Sequence, residues 1–206
     1  MQPTKETLYL LKQRAMKTCS DLISLEPLFL DTETSTFADD ARVIDICIME
    51  LGGTVLFESL VNPEHHISLF CTEVHGMRDE DVKDAPIWPR ILPTIHKMLM
   101  TREFVMYNAK YDFGRICEMY SSYQFAIPMM RLNDLMRIYA EYHGEWYPQT
   151  NAYKFQKLTV ACAQMGIPME EELAHRAKYD CDLTRRLLLK LGGEYGRLPR
   201  PGICTF

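Results

Sequence analysis

Leu28-Phe29-Leu30-Asp31-Thr32-Glu33-Thr34 decides the reading of the whole chain: an apolar triplet runs straight into two carboxylates spaced two apart. Leu28 to Leu30 is a short buried strand, set off by Pro27, which cannot continue a preceding helix. Alternate side chains of a strand share a face, so Asp31 and Glu33 converge at its C-terminal end. Two negative charges held together in a partly buried place require a shared proton or a cation, which makes the pair a divalent-metal candidate. The plainer reading is a strand-end Asp beside a helix-capping Glu, and for a DxE pair taken alone it is favoured.

Upstream, Leu8, Leu11, Ala15, Cys19 and Leu22 recur at three-and-four spacing among charged residues, which predicts an amphipathic helix in the first 26 residues. Downstream, Val43 to Leu51 reads as a second strand. Gly52-Gly53 supplies the positive φ angles of a tight hairpin into a third strand, Thr54 to Val61. Short helical pieces follow at Cys71 to His75 and Asp79 to Lys83, then a longer helix from Pro86 to Met100 that contains Pro89 and Pro93. Phe104 to Tyr107 is a fourth strand, Tyr111 to Tyr120 a helix, and Met130 to Asn133 a short fifth strand. Helices are expected over Asp134 to Tyr142, Phe155 to Met165 and Arg176 to Leu191, the last stopped by Gly192-Gly193. Three meandering strands followed by two separated by helices predict an α/β fold, a mixed sheet covered by helices on both faces. The expected division is an N-terminal helix (1–26), one catalytic-sized domain (27–195) and an irregular tail (196–206).

Composition narrows the function classes. Of the 206 residues 47% are hydrophobic and 25% charged, enough for a packed core and against disorder. Lys plus Arg number 23 against 28 Asp plus Glu, a formal charge of −5, so no global basic field attracts duplex DNA or an anionic membrane. No apolar run approaches the roughly 18 residues of a membrane span, and no early run suits a secretion signal; a soluble, cytoplasmic protein is expected. The seven cysteines are scattered singly without a CxxC pair, which fits reduced thiols and argues against structural zinc.

Two further segments repeat the theme of a carboxylate at the start of a helix. Asn108-Ala109-Lys110-Tyr111-Asp112 carries a buried strand through a polar turn into a helix whose first turn holds Asp112. By itself that Asp needs only the helix dipole, worth about 0.3 to 1 kcal/mol, to explain it. His175-Arg176-Ala177-Lys178-Tyr179-Asp180 opens the last helix, where Asp180 shares a face with Leu183 and Leu187 while Asp182 points elsewhere. An inward Asp beside an apolar stripe is costly without a partner.

Together, Asp31-Thr32-Glu33-Thr34, the run Asn108 to Ile116 and His175 to Asp180 resemble, in order and interval, the three exonuclease motifs of the DEDDh family. These are 3′ to 5′ exonucleases similar to the proofreading epsilon subunit of bacterial DNA polymerase III and to ribonuclease T. The segments Val61 to Glu64, Cys71 to Pro86 and Leu158 to Ile167 also resemble family sequence, so the likeness covers roughly Pro27 to Leu191. It implies a ribonuclease H-like α/β fold, a five-stranded mixed sheet flanked by helices, with an extra N-terminal helix. It also implies two Mg²⁺ or Mn²⁺ ions: Asp31 bridging both, Glu33 and Asp180 completing the one that activates water, Asp112 holding the other, and His175 acting as general base. Four carboxylates with one His suit such hard cations better than zinc. Two divalent ions would bring the formal charge from −5 to −1, so an acidic chain can still bind a phosphodiester.

The partner implied is the 3′ end of a single-stranded nucleic acid, DNA favoured, with nucleoside 5′-monophosphate products. Thr34, Val74, His75 (with Gly76) and Asn108 transfer as substrate-side residues, although His75 equally suits a packed loop and Asn108 a backbone role at the strand end. Lys110, Arg115, Lys154, Lys157, Arg176 and Lys178 are candidate phosphate contacts, though a solvated helix face accounts for most. The chain departs from the family pattern at Ser35-Thr36-Phe37 after the first motif, at Asp45 and Cys47 where Glu and Gly are usual, and at Tyr107 where His is common. These touch substrate preference and remove none of the five motif residues. An exonuclease of RNA or very short RNA, and a catalytically silent nucleic-acid-binding module, are the alternatives; retention of all five residues speaks against the silent module. A homodimer and a polymerase partner both stay open.

Overall fold

A computed structural model of the chain describes residues 3–170 and 175–196. Helix α1 (Lys5–Ser24) starts at Thr4, whose hydroxyl accepts the Thr7 backbone N–H at 3.1 Å, a side-chain cap for an otherwise orphan donor. It ends before Pro27, with Glu26 turned to φ +48°. Three strands follow: β1 (Leu28–Thr34), β2 (Val43–Glu50) and β3 (Val55–Leu60). Next come α2 (Leu69–His75), α3 (Asp79–Val82), α4 (Trp88–Thr101), β4 (Glu103–Met106), α5 (Ala109–Ser122), β5 (Arg131–Asp134) and α6 (Leu135–His143). A small hairpin of β6 (Trp146–Tyr147) and β7 (Ala152–Tyr153) precedes α7 (Leu158–Gln164) and α8 (Ala177–Gly193).

The five main strands form one mixed sheet in the order β3-β2-β1-β4-β5, with β1, β2 and β3 antiparallel and β1, β4 and β5 parallel. Alternation along β1 sorts its side chains between two cores. Leu28 and Leu30 join Trp88, Ile95 and Ile116 of α4 and α5 on one face, while Phe29 joins Leu183, Leu187 and Leu191 of α8 on the other. Asp31 and Glu33 have the parity of Phe29 and therefore lie on the α8 side; Thr32 lies on the α5 side. Each fully buried leucine of α8 contributes about 1.5–3 kcal/mol of burial, so the helix that carries Asp180 is held firmly against the sheet.

The structure corrects several local expectations. The strand does not stop at Leu30 but continues through Thr34, because β2 pairs along its whole length. Of the two hairpin glycines only Gly53 takes a positive φ, +90°. Helix α8 runs two residues further than expected, through Gly192 and Gly193, and α1 crosses close to it at Gly192. A Cβ there would come within 2.5 Å of Ile23 Cδ1 and 3.0 Å of the Ser20 backbone nitrogen, so its use is close approach. Phe155 to Lys157 are not helical; the segment ahead of α7 forms the β6–β7 hairpin, too short to show period-two alternation in sequence. Helix α1 packs on α8 and α6 and buries Cys19 and Leu22 in the same core as Phe29. Gly196 ends the described chain, so the rest of the expected tail lies outside the described residues. Among the described residues no helix is long and apolar enough to cross a membrane.

Candidate active site

The C-terminal ends of β1 and β4 and the N-termini of α5 and α8 meet at one edge of the sheet. Both helices are entered through a non-glycine residue in the left-handed region, Asn108 at φ +68° and His175 at φ +62°. Such residues are uncommon and mildly strained, and they aim the next turn of chain sharply back toward the strand ends. Asp112 is thereby brought to β1, where its Oδ1 accepts the Thr32 backbone N–H at 3.0 Å and the Thr32 hydroxyl at 2.7 Å. Asp180 comes in from the opposite face of the sheet. Glu33, His175 and Asp180 each place one ligand-type atom within 4.8 Å of the others.

All four motif carboxylates are pushed above their ordinary range. Burial does most to raise Asp31 well above its usual value, and the charges of Asp112, Asp180, Glu33 and Asp45 add to it. Glu33 is pushed up to about 8, first by burial and then by Asp180, Asp112 and Asp45, with Arg176 opposing. Asp112 rises to about 7 through burial, against its two Thr32 hydrogen bonds. Asp180 rises to about 6 by burial, while His175 draws it down. In addition, Asp180 Oδ1 is buried without a hydrogen-bond partner among the described residues. Asp31 and Glu33, raised by their neighbouring carboxylates, together with the buried Asp180 oxygen, have the donor chemistry that fits an oxygen-preferring divalent cation.

The substrate-side candidates divide. Thr34 is buried; its hydroxyl donates to the Thr36 carbonyl at 3.1 Å, which leaves the Tyr111 hydroxyl as donor in the 2.7 Å contact between them. His75 is satisfied internally: Nδ1 accepts the Met77 N–H at 3.1 Å, so the Nε2 proton faces the Thr34 carbonyl at 3.3 Å. It ties α2 to the end of β1. Val74 is half-buried on α2. Asn108 does not cap α5 with its side chain, and its backbone N–H donates to Asp134 Oδ1 at 3.2 Å.

Sequence reasoning missed an aromatic cluster beside Thr34. Phe37 is 56% and Phe70 63% exposed, yet their rings meet edge to face at 5.5 Å, and Phe37 also lies 6.3 Å from Tyr111. The available signal was Phe37 in the departing turn and the apolar pair Leu69-Phe70 opening a short helix. Four of the six candidate phosphate cations are already engaged: Arg115 with Glu118, Lys154 with Glu145, Arg176 with Asp45 and Lys178 with Glu58. Lys110 and Lys157 form no ion pair among the described residues.

The family described as exonuclease (RNase_T) matches residues 28–188, nearly the span from β1 to the core of α8. The chain is 35% identical over 180 residues, 84% of its length and 90% of the relative's, to uncharacterized exonuclease CP81 of Escherichia phage 186. It is 27% identical over 172 residues, 82% of its length, to DNA polymerase III PolC-type of Streptococcus pneumoniae, of which it spans only 11%. Among solved structures, Exonuclease X in complex with 5′ overhanging duplex DNA aligns at a TM-score of 0.61 and 19% identity, covering 82% of this chain and 92% of that one. The nuclease domain of 3′hExo, a DEDDh family member bound to rAMP, aligns at 0.63 and 14%, covering 85% and 96%. A family match running from the first carboxylate pair to the helix of the last, over a fold shared with these nucleases, places the chain in the exonuclease family.

Proposed function

We propose that the chain removes nucleotides from the 3′ end of single-stranded DNA, with two divalent cations, Mg²⁺ or Mn²⁺, held by Asp31, Glu33, Asp112 and Asp180. The observation that carries this reading is Asp180 Oδ1, buried and without a partner among the described residues, in a carboxylate whose charge helps raise Asp31 and Glu33. Bound cations would supply positive charge that acidifies a water and offsets the growing charge on the phosphate. The protein's own contribution is geometric and protonic. His175 sits exposed beside Glu33 and Asp180, where its imidazole accepts the proton of the attacking water, and an imidazole is suited to this near neutral pH. Thr32 fixes Asp112, and the left-handed turns at Asn108 and His175 fix the two helices, so the charges are in place before substrate arrives. Phe37, Phe70 and Tyr111 offer the flat faces on which the terminal bases stack, a sequence-tolerant contact suited to a degrading enzyme. The product is a nucleoside 5′-monophosphate.

A DNA substrate is supported by the likeness to a segment of PolC and to Exonuclease X on DNA. RNA is the second reading, favoured by the fold shared with 3′hExo bound to rAMP. The test is digestion of 5′-labelled single-stranded DNA and RNA of equal sequence, with Mg²⁺, Mn²⁺ or chelator, by wild type and Asp31→Ala. A cation-dependent ladder shortening from the 3′ end, absent in the variant, is expected on DNA; no cleavage of either substrate, with binding retained, sinks the enzyme reading.

A further inference from the structure

Asp45 lies outside the five motif residues but inside their architecture. It is the β2 partner of Glu33 across the β1–β2 ladder, and it shares the parity of Cys47 and Met49, so it projects on the α8 side. Its side chain is almost fully buried, with the residue 3% exposed. There Oδ2 accepts the Arg176 Nε–H at 3.0 Å, and the Ala177 backbone N–H faces the same carboxylate. Arg176 is the N-cap residue of α8, and its own side chain makes no cap hydrogen bond; Tyr179 and Asp180 donate to the Arg176 carbonyl, which leaves the Ala177 N–H as the donor turned to the sheet. One residue earlier is His175, in the left-handed conformation, whose backbone faces the Asp180 carboxylate.

We propose that Asp45 is a positioning residue for the reaction: by capping α8 from the neighbouring strand through Arg176 and Ala177, it holds the His175 turn in the conformation that aims the imidazole at the attacking water. A left-handed non-glycine turn persists only where its surroundings over-determine it, and Asp45 is the buried anchor on its C-terminal side. The same arrangement assigns Arg176 to the latch and not to the substrate phosphate. The inference rests on the exonuclease reading, since positioning has meaning only for a base that acts.

The two roles for Arg176 predict different kinetics. Asp45→Asn keeps an acceptor of the same shape but loses the charge that holds the guanidinium, and Arg176→Ala removes the other half. If the pair is a latch, each lowers kcat on labelled oligonucleotide by about 10- to 100-fold, the scale of a small misplacement of a reacting group. KM then stays within about twofold, and the double variant is no worse than either single. If Arg176 grips phosphate, its loss raises KM, Asp45→Asn leaves kcat intact and the two effects are independent; that result overturns the proposal. Thermal melting accompanies each variant, and Arg176, half-exposed, carries the test if Asp45→Asn fails to fold. Amide exchange of Ala177 in cation-free protein reads the latch without activity. Protection lost in Asp45→Ala is expected, and protection unchanged overturns the latch even if no oligonucleotide is cleaved. An inactive wild type would instead refute the exonuclease reading, which keeps the two failures apart.

Discussion

Asp112→Asn should make the cation-free protein more stable at pH 8 while abolishing its activity. Asp112 is 3% exposed and accepts two hydrogen bonds from Thr32 through one oxygen, a position that an asparagine carbonyl fills equally well. What changes is charge. The folded-state carboxyl titrates at about 7 against an ordinary 3.8. Since the folded value is the higher one, the native state binds the extra proton. The associated stability is full below about pH 4 and is lost as pH rises through about 7. At about 1.4 kcal/mol per pH unit the interval corresponds to a ceiling of about 4 kcal/mol, and the high effective dielectric of real sites brings the expectation to about 1–3 kcal/mol. For a chain of this length that is a melting temperature about 3–10 °C higher for the variant at pH 8 in chelator, the gap falling to less than half at pH 5. Saturating Mg²⁺ should reverse the order, because a ligand at 100 times its Kd stabilises the wild type by about 2.7 kcal/mol and the variant by less. Melting curves by circular dichroism from pH 5 to 8, with chelator and then with Mg²⁺, measure all of this. A variant less stable than wild type at pH 8 in chelator, or a gap that does not change with pH, would refute the view that the site is held in electrostatic strain until cations enter.

Three other outcomes follow from the geometry. His175→Ala should cut kcat by about 10²–10⁴-fold while leaving Mn²⁺ affinity within a few fold, checked by single-turnover cleavage and titration calorimetry; an equal loss of both would make His175 a ligand and not the base. Phe37→Ala and Phe70→Ala should each raise KM for single-stranded oligonucleotides by about tenfold, as expected where one stacked base is worth about 1–3 kcal/mol, with melting unchanged because both rings are exposed. Gly192→Ala should lower stability despite the better helix propensity of alanine: its Cβ meets backbone of α1 at 3.0–3.1 Å, and overpacking of about 1–3 kcal/mol exceeds a propensity gain of about 1 kcal/mol. A melting temperature unchanged or raised would show that α1 yields freely.

The fold was legible where hydrophobic period and punctuation agree. The strand triplet at Leu28, the apolar face of Leu183 and Leu187 and the break at Pro27 all mark elements found in the structure. Illegible were features whose cause lies in another part of the chain. Nothing local to Gly192 says that α1 crosses there, so a helical glycine reads as a stop signal. Arg176 and Lys178 read as solvated or phosphate-seeking cations because their partners, Asp45 and Glu58, lie more than a hundred residues earlier. The convergence of Asp31, Glu33, Asp112 and Asp180 belongs to both kinds. Parity gives the first pair from sequence, whereas the approach of the other two depends on how α5 and α8 meet the sheet, which only the resemblance to known motifs suggested.

The site concentrates several unfavourable features at one sheet edge: mutually repelling carboxylates, an unpartnered buried oxygen and two left-handed turns at non-glycine residues. None of them stabilises the fold. They persist because the elements that carry them are fixed from behind, α8 by its buried leucines against β1 and β2, and α5 by Ile116, Met119 and Tyr120 in the opposite core. A locally consistent sequence would relax each feature, with a glycine at position 108 or 175 or an amide at position 112, and would be more stable for it. Left-handed non-glycine residues occur elsewhere in the chain too, as at Glu26, so it is the concentration of such turns with repelling buried carboxylates at one edge that argues physically for the proposed role in cation binding and hydrolysis.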